Sequence, residues 1–352
     1  MSANSLIGPI RTPPRLEDLT RALLYEGYAL FPYHRAAVKN TKPVPFGAVY
    51  PEAYRAHHPE APSLIQTECL VVGAGEDLAV QASVRFLQLQ TIELQEWTEA
   101  AGLRVVESLA AGAETHQSGW QGVEREVRPQ SLALWRCAAD WTACRIEFPE
   151  RRQSRLLHDA RRQIIGRRLA RTADLTGRVT VAYSPVEGRE DCYQVAVRIH
   201  NATPVPDAAT LSRDEIARHA FLSTHTLLTV TGGEFRSVLE PEPEWETVAA
   251  QCRNVGTWPV LLDGDQTTLL SSPIILHDYP ELAPQSQGDL FDGSEIEEAL
   301  LLHLAAMSDA EKKTLATADD RLRAMLERVS QVTPQEILNL HGVLHATPPP
   351  KV

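Results

Sequence analysis

Seven carboxylates crowd into SSPIILHDYPELAPQSQGDLFDGSEIEEAL, residues 271–300, between apolar runs. Acids at that density suit a hard-cation ligand set, a catalytic pair, or a wet loop feeding a helix. Asp292, Ser294, Glu295 and Glu297 gather where a helix should begin. Ser294 with Glu297 three residues on reads as a capping box. Carboxylates there are favoured by the helix dipole, by about 0.3–1 kcal/mol each. Capping leaves Asp278 and Asp289 unexplained. Asp278 follows an apolar strand pattern, and Asp289 sits in a glycine-containing turn. Oxygen ligands from such loops hold hard cations, although the D-x-D-x-D-G series of an EF-hand is missing. His225, in STHTLL, supplies an imidazole inside an apolar strand, as a metal ligand or a hydrogen-bonded core histidine. The candidate site for a divalent metal is therefore His225, Asp278, Asp289 and Asp292.

Other reactive types are less well placed. His277 adjoins Asp278, but adjacent strand residues project oppositely. His341 and His345 share a helix face, yet Gly342 stands where a zincin requires glutamate. Cys252 adjoins Arg253, a cation that would lower a thiol's pKa, with no histidine near it in sequence. GAGEDL (residues 73–78) has Leu78 where a dinucleotide loop needs its third glycine, and a strand pattern follows instead of a helix. No GxSxG elbow and no Walker loop occurs. No nucleotide or dinucleotide cofactor is expected.

Arginine marks a second candidate surface. RRQSRLLHDARRQIIGRRLAR (residues 151–171) holds eight arginines. Leu157, Ala160 and Ile164 have approximately helical spacing, which predicts an arginine-rich helix over 151–174. Arg161, Arg162, Arg167 and Arg168 would then present a docking face for an acidic partner, or a solvated face paired with the chain's own acids. Tyr28 and Tyr33, in the aromatic and proline-rich stretch after a first helix at residues 15–26, are further candidate partner contacts.

The elements that must carry these residues follow from periodicity. QTECLVVG and LAVQASVRFLQLQTIEL read as a strand pair joined by a turn at AGED, with a shift of pattern at Leu87 and Leu89 that suggests a bulge or twist. RVTVAY and CYQVAVRIHN read as a hairpin, with Val179, Val181 and Tyr183 alternating in one arm and Tyr193, Val195, Val197 and Ile199 in the other. Strands around His225 and over TWPVLL and TTLLSSPIIL follow. The predicted class is α+β: a mostly antiparallel β-sandwich or barrel-like core, with an N-terminal α/β extension and a C-terminal helical segment. The predicted divisions are 1–150, the arginine-rich helix 151–174, an antiparallel β region 175–292, and helices over 293–346.

Bulk properties narrow the partners. The chain has 352 residues, enough for a sizeable core, and a formal net charge of −12. That charge argues against nucleic acid, whose binders carry a basic footprint. No apolar run reaches the roughly 18–20 residues that span a bilayer, and no secretory signal is seen, so a cytoplasmic location is expected. Five widely scattered cysteines, Cys69, Cys137, Cys144, Cys192 and Cys252, do not suggest a disulfide framework.

Several segments taken together resemble a known group. They are LLYEGYALFPYHRAAVKN, FGAVYPE, IQTECLV, STHTLL, CRNVGTWPVLL, SSPIILHDYPELAPQSQGDLFDGSEIEEALLLH and TPQEILNLHG. The group is a bacterial protein family associated with gene clusters for uptake-type [NiFe] hydrogenases and their maturation machinery. The likeness is loose in the N-terminal third and closer over residues 220–345. It implies a cytoplasmic accessory or assembly role, with a hydrogenase subunit or maturation protein as partner. It brings no catalytic residues. Two other readings stand beside it: a metal-dependent enzyme using His225 with carboxylates of the 278–295 stretch, and an interaction protein unrelated to hydrogenase.

Overall fold

The computed structural model describes residues 47–99, 102–112, 114–134 and 141–280, together with residues 19–21, 23 and 24. In chain order the first strands are β1 (Leu64–Gly73), β2 (Ala79–Thr98), β3 (Gly102–Val106), β4 (Ser108–Ala111), β5 (Glu114–Gln117), β6 (Gly119–Val127), β7 (Leu132–Ala133) and β8 (Thr142–Phe148). They are followed by β9 (Arg151–His158), β10 (Ile164–Thr172), β11 (Leu175–Pro185), β12 (Cys192–Asn201), β13 (Leu222–Thr231), β14 (Gly233–Arg236), β15 (Trp258–Leu261) and β16 (Thr268–Ser272). Three short helices intervene: α1 (Glu52–Arg55), α2 (Arg213–Ala217) and α3 (Glu246–Ala249).

Two antiparallel sheets form a sandwich. One has five strands in the order β14-β1-β12-β11-β8, and the other nine, running β15-β16-β13-β2-β10-β9 with β3, β6 and β7 also on β2. β2 is the spine of the larger sheet. Its twenty residues span roughly 65 Å at about 3.3 Å each. One edge of β2 takes β13 and then β10, and the other takes β7, β6 and β3. β4 and β5 form a separate small hairpin.

Alternation explains the core. Val80, Ala82, Val84 and Phe86 of β2 point inward with Leu228 and Val230 of β13. They meet Val71 of β1, Val179 and Val181 of β11, and Val195, Val197 and Ile199 of β12. Phe86 is central, its ring 4.7 Å from Phe221 and 5.9 Å from Phe148 of β8. A smaller cluster, Leu94, Leu109 and Leu157, lies between β2, β4 and β9.

The antiparallel core agrees with the sequence reading, and three details correct it. First, residues 151–172 are no helix. They form the hairpin β9–β10, with β10 docked along β2 over Gln90–Glu96. Asp159 sets the turn: its carboxylate accepts from the N–H groups of Arg161 and Gln163, both at 2.8 Å. The apolar residues at helical spacing are split, with Leu157 buried, Ala160 in the turn and Ile164 exposed. Second, the division between 1–150 and 175–292 dissolves. β1 pairs with β12 and β2 pairs with β13, so both sheets mix strands from either side, and every described strand falls within one unit, Met1–Pro280. Third, β1 and β2 are not a pair; they belong to opposite sheets. The pattern shift at Leu87 reflects a bulge in the partner strand, β13, between Leu222 and His225, where Ser223 has φ +49°.

Residues 19–21, 23 and 24 are helical, and Leu19, Leu23 and Leu24 are buried. Tyr28, Tyr33, Asp289, Asp292, His341, His345 and the predicted helices of 293–346 lie outside the described residues. No helix among the described residues is long and apolar enough to cross a membrane.

Candidate functional site

The same alternation that turns Val195, Val197 and Ile199 inward turns Arg198 and His200 of β12 outward. On β11 it leaves Arg178 and Thr180 outward, and on β1 Leu64 and Gln66. Cross-strand register assembles them in two rows. Leu64, His200, Arg178 and Arg145 lie side by side across β1, β12, β11 and β8. Gln66, Arg198 and Thr180 form the next row. Trp141, just before β8, stands beside them. All of these except Arg145 line a cleft of about 510 Å³ on the outer face of the five-stranded sheet. That volume is in the range of small-ligand pockets, about 300–1,000 Å³.

The cleft is braced from below. The guanidinium of Arg198 sits 4.1 Å from the centre of the Trp141 ring. Its Nε–H donates to Gln66 Oε1 at 2.5 Å. The Gln66 amide nitrogen in turn donates to Glu68 Oε1 at 2.9 Å and to the Arg253 carbonyl at 2.8 Å, which fixes the amide's orientation. Glu68 Oε2 accepts from Gln194 Nε2 at 2.8 Å and from the Arg253 N–H at 2.7 Å. The Asn254 side chain accepts from the Glu68 N–H and donates to its carbonyl. Arg198 is thus held as a flat plate with one edge spent. Among the described residues, neither its terminal amino groups nor the Arg178 guanidinium has a hydrogen-bond partner. His200 pairs through Nε2 with Glu52 at 3.4 Å, while its Nδ1 is buried and unpartnered among the described residues. Besides Glu68, whose carboxylate is spent on Gln66, Gln194 and Arg253, the nearby acids are Glu52 on His200 and Glu147 on Arg145 at 3.5 Å.

Sequence reasoning named none of the residues that line the cleft. The signal was present as the complement of the inward alternation it did read. It lacked the register that sets Gln66 beside Arg198, 132 positions away.

The residues it did name are distributed differently. His225 is fully buried, and Nδ1–H donates to the Ser223 carbonyl at 2.7 Å. Nε2 faces the Ser272 hydroxyl at 3.3 Å. Burial pushes its pKa down to about 4, so the ring is neutral. Asp278 is used elsewhere, its carboxylate capping the Leu261 N–H at 2.7 Å. Among the described residues, no three His, Cys, Asp or Glu side chains come together as a metal ligand set. Cys252 is not activated by Arg253: burial and the Glu68 carboxylate push its thiol up to about 12. His277 is exposed and pairs with Glu240 at 3.1 Å.

The four arginines assigned to a docking helix also separate. Arg161 and Arg162 are exposed at the hairpin tip. Arg167 and Arg168, half-buried, donate to Gln95 Oε1 at 2.6 Å and Gln121 Oε1 at 3.1 Å. Reversing Arg161 and Arg162 to glutamate is therefore expected to leave stability within about 0.5 kcal/mol. Reversing Arg167 and Arg168 is expected to cost about 1–3 kcal/mol through unmade bonds to half-buried amides. Urea midpoints of the two double variants check this. In a pulldown, loss of a salt-sensitive partner on R161E/R162E alone would mark the tip as a contact. An unchanged set would leave it a solvated turn.

No family model matches the chain, and no curated protein matches it.

Proposed function

We propose that this chain is an accessory factor in the maturation of a [NiFe] hydrogenase, acting through protein–protein contacts. The resemblance supplies the hydrogenase context. The observation that carries the reading is where the resembling segments meet. Gln66 and Glu68 of IQTECLV interlock with Arg253 and Asn254 of CRNVGTWPVLL to brace Arg198 in the cleft. Ser271 of the SSPIIL segment takes a hydrogen bond from Thr67 at 2.6 Å and lies 2.7 Å from the Thr257 hydroxyl. Thr224 of STHTLL donates its N–H to the carbonyl of Gly47, from FGAVYPE. Gly47 has φ +59°, and a Cβ there would stand 2.6 Å from Pro273 Cγ, so only glycine fits this crossing. Segments far apart in sequence thus build one region, and a prepared cationic surface opens from it. Such a surface on a chain of net charge −12 suits recognition of a specific anionic group rather than general attraction.

Deleting the gene tests the role. The expected result is reduced hydrogenase activity with unprocessed large subunit accumulating. Normal activity with fully processed large subunit would overturn it.

A further inference from the structure

Resting on that reading, we infer that the Trp141–Arg198 cleft is a carboxylate anchor that docks an acidic peptide segment of a partner protein. Arg198 presents a planar fork whose stack on Trp141 and bond to Gln66 remove most of its freedom before binding. A planar, preorganised guanidinium matches the two oxygens of a carboxylate bidentately, and less ordering entropy is lost when it binds. Arg178 stands one strand over and diagonal to Arg198, within the roughly 7–8 Å over which diagonal neighbours on a sheet interact. It can take the same carboxylate or the next acid along a chain.

The backbone argues against phosphate. The floor is formed by β12 and β11, both interior strands whose N–H groups are used in the ladders to β1, to each other and to β8. No backbone donor is left to add to these side chains, as the helix N-termini and backbone nests of many phosphate sites do. Two side-chain forks satisfy a carboxylate. The cleft is also open and wider than one acid needs, and its apolar lining, Leu64 and the Trp141 ring, gives neighbouring residues of a peptide something to pack on.

The test is fluorescence anisotropy of a fluorescein-labelled hexaglutamate peptide against the full chain. Binding should be salt-sensitive. R198Q should weaken it at least about tenfold, since a charge-assisted bidentate bond is worth about 1.5–3 kcal/mol. R198K should recover little, because lysine keeps the charge but not the fork. Matching thermal melts confirm that each variant is folded. Hexaglutamate that binds R198Q or R198K as well as wild type, or that inorganic phosphate displaces as readily as glutamate does, overturns the inference. The deletion strain complemented with R198Q separates this from the broader role. Lost peptide binding with normal subunit processing would uphold the anchor and remove it from maturation. Failed processing in the deletion strain, with hexaglutamate unbound by wild type, would uphold the accessory role and discard the anchor.

Discussion

Phe86→Ala is expected to cost the fold about 3–5 kcal/mol, the usual range for emptying a fully buried phenylalanine site. Phe86 belongs to β2 but touches both sheets. Its ring meets Phe221, just before β13, at 4.7 Å, and Phe148 of β8, in the opposite sheet, at 80° and 5.9 Å. Edge contacts of that kind add about 0.5–1.5 kcal/mol beyond the buried area. The surroundings have little room to close over the loss. Phe221 is held by its backbone, exchanging hydrogen bonds with Val49 at 2.8 and 3.1 Å. Across from it, a Cβ on Gly177 of β11 would stand only 2.9 Å from the Phe221 ring. The cavity would therefore persist. Urea unfolding of F86A and F86L is the measurement. F86L should keep a good part of the stability by retaining apolar volume. An F86A midpoint equal to wild type would mean that the sheets are not joined through this ring.

Where the sequence could be read, local alternation did the work. β11 and β12 show their inward faces outright, because one face of each is packed on the core and the other is not. β9 and β10 do not. Their arginine-rich pattern carries too few apolar residues to define a period, and Leu157, Ala160 and Ile164 fell at helical spacing by coincidence. What makes this stretch a hairpin is a distant partner, the far half of β2, and tertiary pairing overrides weak local preference. The proposed domain borders failed for the same reason, since a twenty-residue spine recruits strands from both sides of any cut. β9 also shows what the arginines do in the described fold. It lies at the end of the sheet order with its side chains mostly exposed. Charge along such a strand discourages edge-to-edge pairing with another molecule. The cleft is a harder case again. Each of its residues is unremarkable on its own strand, and it exists only once register lays Gln66, Arg198 and Thr180 in a row beside Trp141.

Acid should expose the role of His225. Its folded pKa is about 4, against about 6.5 for an unfolded chain, because burial penalises the charged ring. The sign follows from linkage. Above pH 6.5 the ring is neutral in both states, and its contribution is fully present. As pH falls from 6.5 toward 4, the unfolded chain takes up a proton that the folded chain refuses, so stability is lost; below 4 both states are charged and the loss stops growing. A separation of about 2.5 units makes the total about 3 kcal/mol. His219, also pushed down, by burial and by Arg218, acts in the same direction. Comparing H225Q with wild type isolates the one ring, since both chains keep the same carboxylates and His219. Between about pH 7 and pH 4.5, wild type should lose some 2–3 kcal/mol more than the variant in urea titrations. Superimposable acid profiles would show that His225 reaches solvent and charges within the fold. The ring would then be an open imidazole and a credible metal ligand again. The geometry points the other way. Nδ1–H is occupied by the Ser223 carbonyl, and Nε2 accepts from Ser272, whose oxygen itself accepts the Ile274 N–H at 3.1 Å. Nδ1 pins the β13 bulge and Nε2 ties it to β16, where the chain bends into Pro273 and crosses Gly47, so the imidazole's chemistry is spent on the fold that carries the cleft.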